Sequence, residues 1–135
     1  MTNIMCKFTL LAAILPMHMV LADRLMVPDY VTCDRNQLTS WTGQISDYQR
    51  TSGSTQFTVK TDDGTTEILS LSFLQKSELM TQYFLNGKRF ESSDWKRIEG
   101  AKQQLISGTR ATVWLCQDAS FSPVVNWQVK EEVNL

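Results

Sequence analysis

A chain of 135 residues that is 42% hydrophobic, 20% charged and 10% aromatic holds apolar material for one core and no run long enough for a second. A formal net charge of −1 excludes any global electrostatic pull toward nucleic acid or an acidic membrane surface.

Met1 to Lys7 carries one positive charge and no acid, and Phe8 to Ala22 is apolar apart from Thr9 and His18. The apolar stretch is short and broken by Pro16, which sets it against a bilayer span. Val20-Leu21-Ala22 leaves small residues at the exit before Asp23. Together these features read as a secretory signal over residues 1–22, cut before Asp23. The alternative is an N-terminal helix buried in the domain. No cysteine stands at the cut to take a lipid, and Cys6 leaves with the signal. The expected protein is therefore periplasmic or secreted, with no transmembrane span after signal removal. Cleavage takes away Lys7 and the only histidine, His18, so 13 basic residues become 12 against 14 acidic ones.

Two cysteines then remain, Cys33 and Cys116. In a small exported chain they read as one disulfide bond closing a loop over most of the domain. Unpaired buried thiols are the alternative if the chain is not exported. Two distant cysteines without histidine do not complete a zinc shell.

Residues 23–40 lack periodicity and contain Pro28 and Cys33. They form an expected lead-in that packs through Leu25, Val27, Tyr30 and the disulfide onto a single domain over residues 41–135. Trp41 to Arg50 alternates, with Trp41, Gly43 and Ile45 on one face, as a half-buried strand does. Gly43 marks a bend or a close approach. After a turn at Thr51-Ser52-Gly53-Ser54, Thr55 to Thr61 turns Phe57 and Val59 inward. Asp62-Asp63-Gly64-Thr65 predicts a hairpin, read as a type I′ turn, and Thr66 to Phe73 is the return strand.

Two readings compete over Leu74 to Glu91. Ser77-Glu78-Leu79-Met80 can start a helix running to Leu85, or Gln82 to Phe90 can form two short strands around Asn86-Gly87. The aromatic residues before the turn and the Asn-Gly dipeptide favour the hairpin. Ser92 to Ser107 predicts a helix: Trp95, Ile98, Ala101 and Leu105 recur at steps of three and four, and Gly108 stands where a helix end places glycine. Gly100 inside it predicts close packing on a strand. Thr109 to Gln117 and Val124 to Glu131 are the last strands. The former is apolar on both faces, so both are expected to be covered, the lead-in serving as one cover.

Three strands in a meander, a helix, then two strands is the order of a five-stranded Greek-key barrel with its helix between the third and fourth strands. Asn86-Gly87-Lys88, Ser93-Asp94-Trp95 and Gly108-Thr109-Arg110-Ala111-Thr112-Val113 resemble the turn, helix start and following strand of small exported bacterial OB-fold domains. The resemblance implies a mainly β chain with one helix, closed as an OB-like barrel. The alternative is an α+β fold, an antiparallel sheet with one packed helix.

The loss of His18 removes Ser-His-Asp and Cys-His catalysis, histidine metal sites and an imidazole base. Asp62-Asp63 is explained by its turn and Glu131-Glu132 by a solvated end. No phosphate loop, nucleotide fingerprint or calcium loop occurs, and no catalytic residue, metal or cofactor is expected. Lys88, Arg89, Lys96, Arg97 and Lys102 stand close to Tyr83, Phe84, Phe90 and Trp95, as an anionic-glycan or nucleic-acid surface would have them. Glu91, Asp94 and Glu99 are interleaved, so a salt-bridged helix face accounts for the same letters. By analogy with OB-folds, Tyr48, Arg50 and Lys60 fall on the outer face of the first two strands, where ligands bind. The candidate ligand-binding residues are thus Tyr48, Arg50, Lys60, Lys88, Arg89, Lys96 and Arg97. The expected function is a non-catalytic binding module of the bacterial cell envelope, taking a protein, peptide or glycan. A secreted effector or inhibitor with one protein partner is the second reading. A nucleic-acid- or glycan-binding OB domain is the third, and net acidity and export set it against nucleic acid.

Overall fold

The structure, a computed structural model, describes residues 26–131. The expected signal over residues 1–22, its expected cut before Asp23, and Leu25 lie outside the described residues. Among the described residues there are seven strands: β1 (Leu38–Arg50), β2 (Ser54–Thr61), β3 (Thr66–Ser72), β4 (Tyr83–Leu85), β5 (Lys88–Arg89), β6 (Arg110–Cys116) and β7 (Val124–Gln128). Two short helices, α1 (Lys76–Met80) and α2 (Trp95–Ile98), interrupt them. The strands form one mixed sheet in the order β3-β2-β1-β6-β7-β4-β5, in which only β4 and β7 run parallel. The chain is mainly β, as its alternating runs predict. The sheet ends at β3 and β5 and is not closed, so the α+β description fits it. Among the described residues no helix is long and apolar enough to cross a membrane.

The sheet is rolled around its core. In a flat sheet β2 and β7 would lie three strand spacings apart, about 14 Å. Instead the Phe57 and Trp127 rings meet at 5.2 Å between centroids. Leu69 and Leu71 from one end of the sheet share a single core with Tyr83 and Leu85 from the other. Tight curvature brings neighbouring backbones close: a Cβ on Gly43 would run into the Lys60 carbonyl, which is why β1 carries glycine there.

A bulge in β1 decides which side chains enter the core. Ser46 pairs with Thr58, but Gln49 pairs with Gln56, so β1 spends one residue more than β2 over this stretch. Asp47 takes the extra place with φ 51, a left-handed conformation that aspartate tolerates better than most residues. Simple alternation would carry the inward face from Gly43 and Ile45 to Asp47 and Gln49. The bulge reverses the phase. Tyr48 packs on the core and Arg50 faces Thr55, itself only 3% exposed. The expected outer-face position of Tyr48 and Arg50 is therefore corrected, whereas Lys60 does lie exposed on β2.

The expected helix over Ser92 to Ser107 is also corrected. A 3-10 turn (Ser92–Asp94) leads into α2, which stops at Ile98. Glu99 is extended and bridges to Leu105. The Gly100 N–H donates to the Gln104 carbonyl at 2.8 Å, and the Ile106 N–H donates to the Ile98 carbonyl at 2.8 Å. Lys102 and Gln103 are left-handed. Glycine is a poor helix former, and the turn of chain at Glu99 delivers its carboxylate to Arg50 in the interior. Trp95 and Ile98 keep their buried places, at 8% and 0% exposure. Gly100 meets only ordinary contact, 3.9 Å from the Gln104 oxygen, so it marks no close packing.

Both hairpins form. At Asp62 to Thr65 only Gly64 is left-handed, and its N–H donates to the Thr61 carbonyl. This is a type I turn followed by a glycine bulge, in place of the expected type I′ turn. At Asn86-Gly87 both residues have positive φ, the type I′ pattern. The competing helical reading of residues 74–91 is realised only as α1, before β4. Cys33 and Cys116 are bonded, with Cα atoms 5.9 Å apart. The bond holds the lead-in against the outer face of the sheet, where Tyr30 stacks on Phe84 at 3.7 Å and 11°. That cover leaves Trp114 only 5% exposed although it points away from the core.

Candidate functional site

The seven candidate residues separate into different places. Tyr48 and Arg50 are interior. Arg89 lines a cleft beneath the lead-in. Lys96 and Arg97 line a groove on another side of the molecule. Lys60 and Lys88 stand exposed on β2 and β5 and border neither. Of the aromatic residues near the cations in sequence, Tyr83, Phe90 and Trp95 are buried in the core at 0–8% exposure, and Phe84, 7% exposed, lies in the cleft beside its strand partner Arg89. They pack on one another in the core or under Tyr30, so they offer no open ring faces for stacking.

The cleft has a volume of about 440 Å³, within the range of small-ligand and peptide sites. One wall is the lead-in, with Tyr30, and the other is the loop after β6, with Phe121. Phe84 and Trp114 are among the sheet residues beneath them, and Arg89 and Gln82 supply polar groups at the border. Phe121 is 40% exposed, an aromatic ring with no complete cover of its own. Asp118 shapes this loop: its carboxylate accepts the Ser120 N–H at 2.9 Å and the Ser120 hydroxyl at 2.8 Å. Those two bonds, the backbone one first, hold its carboxyl below the usual value. The disulfide fixes the lead-in wall, so the cleft is preformed. Of the seven candidate ligand-binding residues only Arg89 lies here, beside the predicted disulfide cysteines Cys33 and Cys116. Tyr30, Trp114 and Phe121 carried no spacing signal, although a bond between Cys33 and Cys116 already requires the lead-in to cross the outer face beside Trp114.

The interior site is chemically closed. Arg50 Nε donates to both carboxylate oxygens of Glu99, at 2.9 and 3.0 Å, and each side chain is 5% exposed. The guanidinium carbon lies 4.1 Å from the centre of the Trp95 ring, and Lys76 Nζ lies 4.9 Å from it, within cation–π range. Burial, with the Glu99 charge second, pushes the Tyr48 phenol far above its ordinary value, and burial does the same to Tyr83. With the arginine held by a carboxylate and the phenols held neutral by burial, neither kind of group changes its charge near pH 7, and the ion pair ties β1 to the chain after α2. Among the described residues no group of three histidine, cysteine, aspartate or glutamate side chains is placed to hold a metal ion.

The groove is larger, about 900 Å³, and open. Lys96 and Arg97 of α2 meet Arg110 from β6 and Lys130 from the end of β7 there. Sequence reading missed Arg110 and Lys130 because they are remote from α2 along the chain. Compared with models of known families, curated proteins and solved structures, the chain matches none.

Proposed function

We propose that this chain is a non-catalytic binding module that works outside the cytoplasm, exported by residues 1–22 and held in the cell envelope or released from it. Its expected ligand is a segment of another envelope protein, and the binding place is the cleft between the lead-in and the loop after β6. The observation that carries the reading is the cleft itself: a preformed concavity in which Tyr30, Phe84, Trp114 and Phe121 stand among polar side chains such as Thr32, Gln82, Arg89 and Ser120, framed by a disulfide. The absence of histidine after residue 18 supports binding over catalysis. The rolled sheet, with a parallel pairing between β4 and β7, supports an OB-like relationship. The burial of the aromatic residues at positions 83, 84, 90 and 95 weighs against the nucleic-acid reading, because single strands need exposed rings to stack on.

The test is cross-linking of the exported protein in an envelope extract of its own host, followed by mass spectrometry. One partner, recovered with the native chain and lost with Phe121→Asp, is the expected result. Equal recovery with both chains refutes the cleft. Turnover of a substrate that disappears on a single acidic substitution refutes the non-catalytic reading. Intact mass in the same experiment, beginning at Asp23 or at Met1, decides export.

A further inference from the structure

The sequence places Glu91, Asp94 and Glu99 among the cations of residues 88–102, and such a pattern ordinarily neutralises itself through surface ion pairs. Folding removes all three acids from that role. Glu99 turns inward to Arg50. The Asp94 carboxylate accepts the Glu91 N–H at 2.8 Å, which closes the 3-10 turn before α2. Glu91 lies exposed without a cation. Among the described residues the ion pairs are Arg50–Glu99 and Arg110–Asp62, so Lys96 and Arg97 have no carboxylate partner. They face the groove that Arg110 and Lys130 also line, and among the described residues no carboxylate lines it. Four cations, three of them without a carboxylate partner among the described residues, are thus gathered on one concave surface of a chain whose net charge is −1.

The groove is shaped, not merely charged. Arg97 Nη2 donates to the Lys130 carbonyl at 3.1 Å, which ties α2 to the end of β7 and fixes the two walls. Arg110 uses Nη2 on Asp62 and remains 42% exposed. Between the cations lie Ile106, 43% exposed, and half-buried Val129. Among the described residues no aromatic side chain lines the groove, so these residues give it no platform for a base. Cations around an aliphatic floor fit carboxylates that flank an aliphatic side chain, and an open trough fits an extended chain.

From this we infer that the groove is a second binding site, separate from the aromatic cleft, and that its ligand is an acidic peptide segment with an aliphatic residue between its carboxylates. The charges steer and orient the segment, and Ile106 and Val129 receive its aliphatic side chain.

The probe is a fluorescein-labelled peptide of sequence Glu-Glu-Leu-Glu-Glu, titrated with the full mature chain and followed by fluorescence anisotropy. The double variant Lys96→Glu/Lys130→Glu is expected to weaken binding about tenfold or more, since each reversal removes an attraction and adds a repulsion. The variant Lys60→Glu/Lys88→Glu makes the same change of net charge outside the groove and is expected to leave binding within about twofold. Ile106→Asp is expected to weaken it as the lysine pair does. Raising salt from about 50 mM to about 300 mM weakens binding to the native chain more than to the groove variant, because exposed charges are screened. Near-UV circular dichroism confirms that each variant is folded, and Lys96→Gln/Lys130→Gln replaces the reversal if it is not. The inference is overturned if the peptide fails to bind at about 1 mM, if the two lysine pairs weaken binding equally, or if a single-stranded oligothymidylate binds through the same residues more tightly than the peptide. Because Phe121 lies in the other cleft, Phe121→Asp leaves this binding unchanged, which separates the two sites.

Discussion

Glu99→Ala is the substitution from which the fold should suffer most for the fewest atoms removed. It leaves the Arg50 guanidinium at 5% side-chain exposure, with its two bonds to carboxylate oxygens gone and only the Thr51 carbonyl, which accepts from Nη1 at 3.3 Å, and the Trp95 ring beside it. Breaking a buried pair from one side costs about 3–5 kcal/mol, because a desolvated charge is left uncompensated. In a domain of this size that corresponds to a loss of roughly 12–20 °C in Tm, at about 4 °C per kcal/mol. Replacing both partners, as Arg50→Met with Glu99→Leu, removes the charge problem and should cost much less than the sum of the single changes. The assay is urea unfolding followed by tryptophan fluorescence, with the disulfide intact, on the native chain, the two single variants and the double. A cost below about 1 kcal/mol for Glu99→Ala, or a double variant as unstable as the summed singles, would refute the reasoning that this pair holds the bulged end of β1 to the chain after α2.

The remaining predictions concern the bulge, the disulfide and the phenols. Asp47, at φ 51, should accept glycine with little change in the urea midpoint, whereas Asp47→Ile should lose about 1–2 kcal/mol from a β-branched side chain in the left-handed region. A loop of 83 residues' separation gives reduction, or Cys116→Ser, an expected cost of about 4.5 kcal/mol; a urea midpoint that does not move with reductant would contradict it. All three tyrosines have phenols raised by burial. Below pH 10 they are neutral in both folded and unfolded chains and leave stability unchanged. As pH rises past the ordinary phenol value of about 10, the unfolded chain ionises first and stability falls. Absorbance at about 295 nm should show no native phenol ionising at its ordinary value, and one that does so would contradict the burial of that residue.

The short-range features were legible in the chain. Alternation of apolar residues located β2, β3, β6 and β7 because a strand's period of two is a local property. Asn86-Gly87 declared its turn through the positive φ that both residues must adopt. Gly43 indicated a close approach, and two cysteines left after an apparent signal indicated their bond. The first strand's phase, by contrast, depends on one extra residue at Asp47, and nothing in Trp41 to Arg50 displays it. The helix expected over Ser92 to Ser107 fails at Glu99 because that residue's partner, Arg50, is 49 positions away. Leaving the buried Arg50 without its carboxylate would cost more than the few tenths of a kcal/mol per residue by which local propensity favours a helix. The same event clears Glu99 from the outer face and lets Lys96 and Arg97 stand unpaired beside Arg110 and Lys130. Composition, periodicity and turn chemistry thus decide which segments become strands and where they reverse. Which side chains enter the core, and which charges are left for a ligand, is decided by contacts between residues remote in sequence, because burial and pairing are properties of the assembled sheet and not of any one strand.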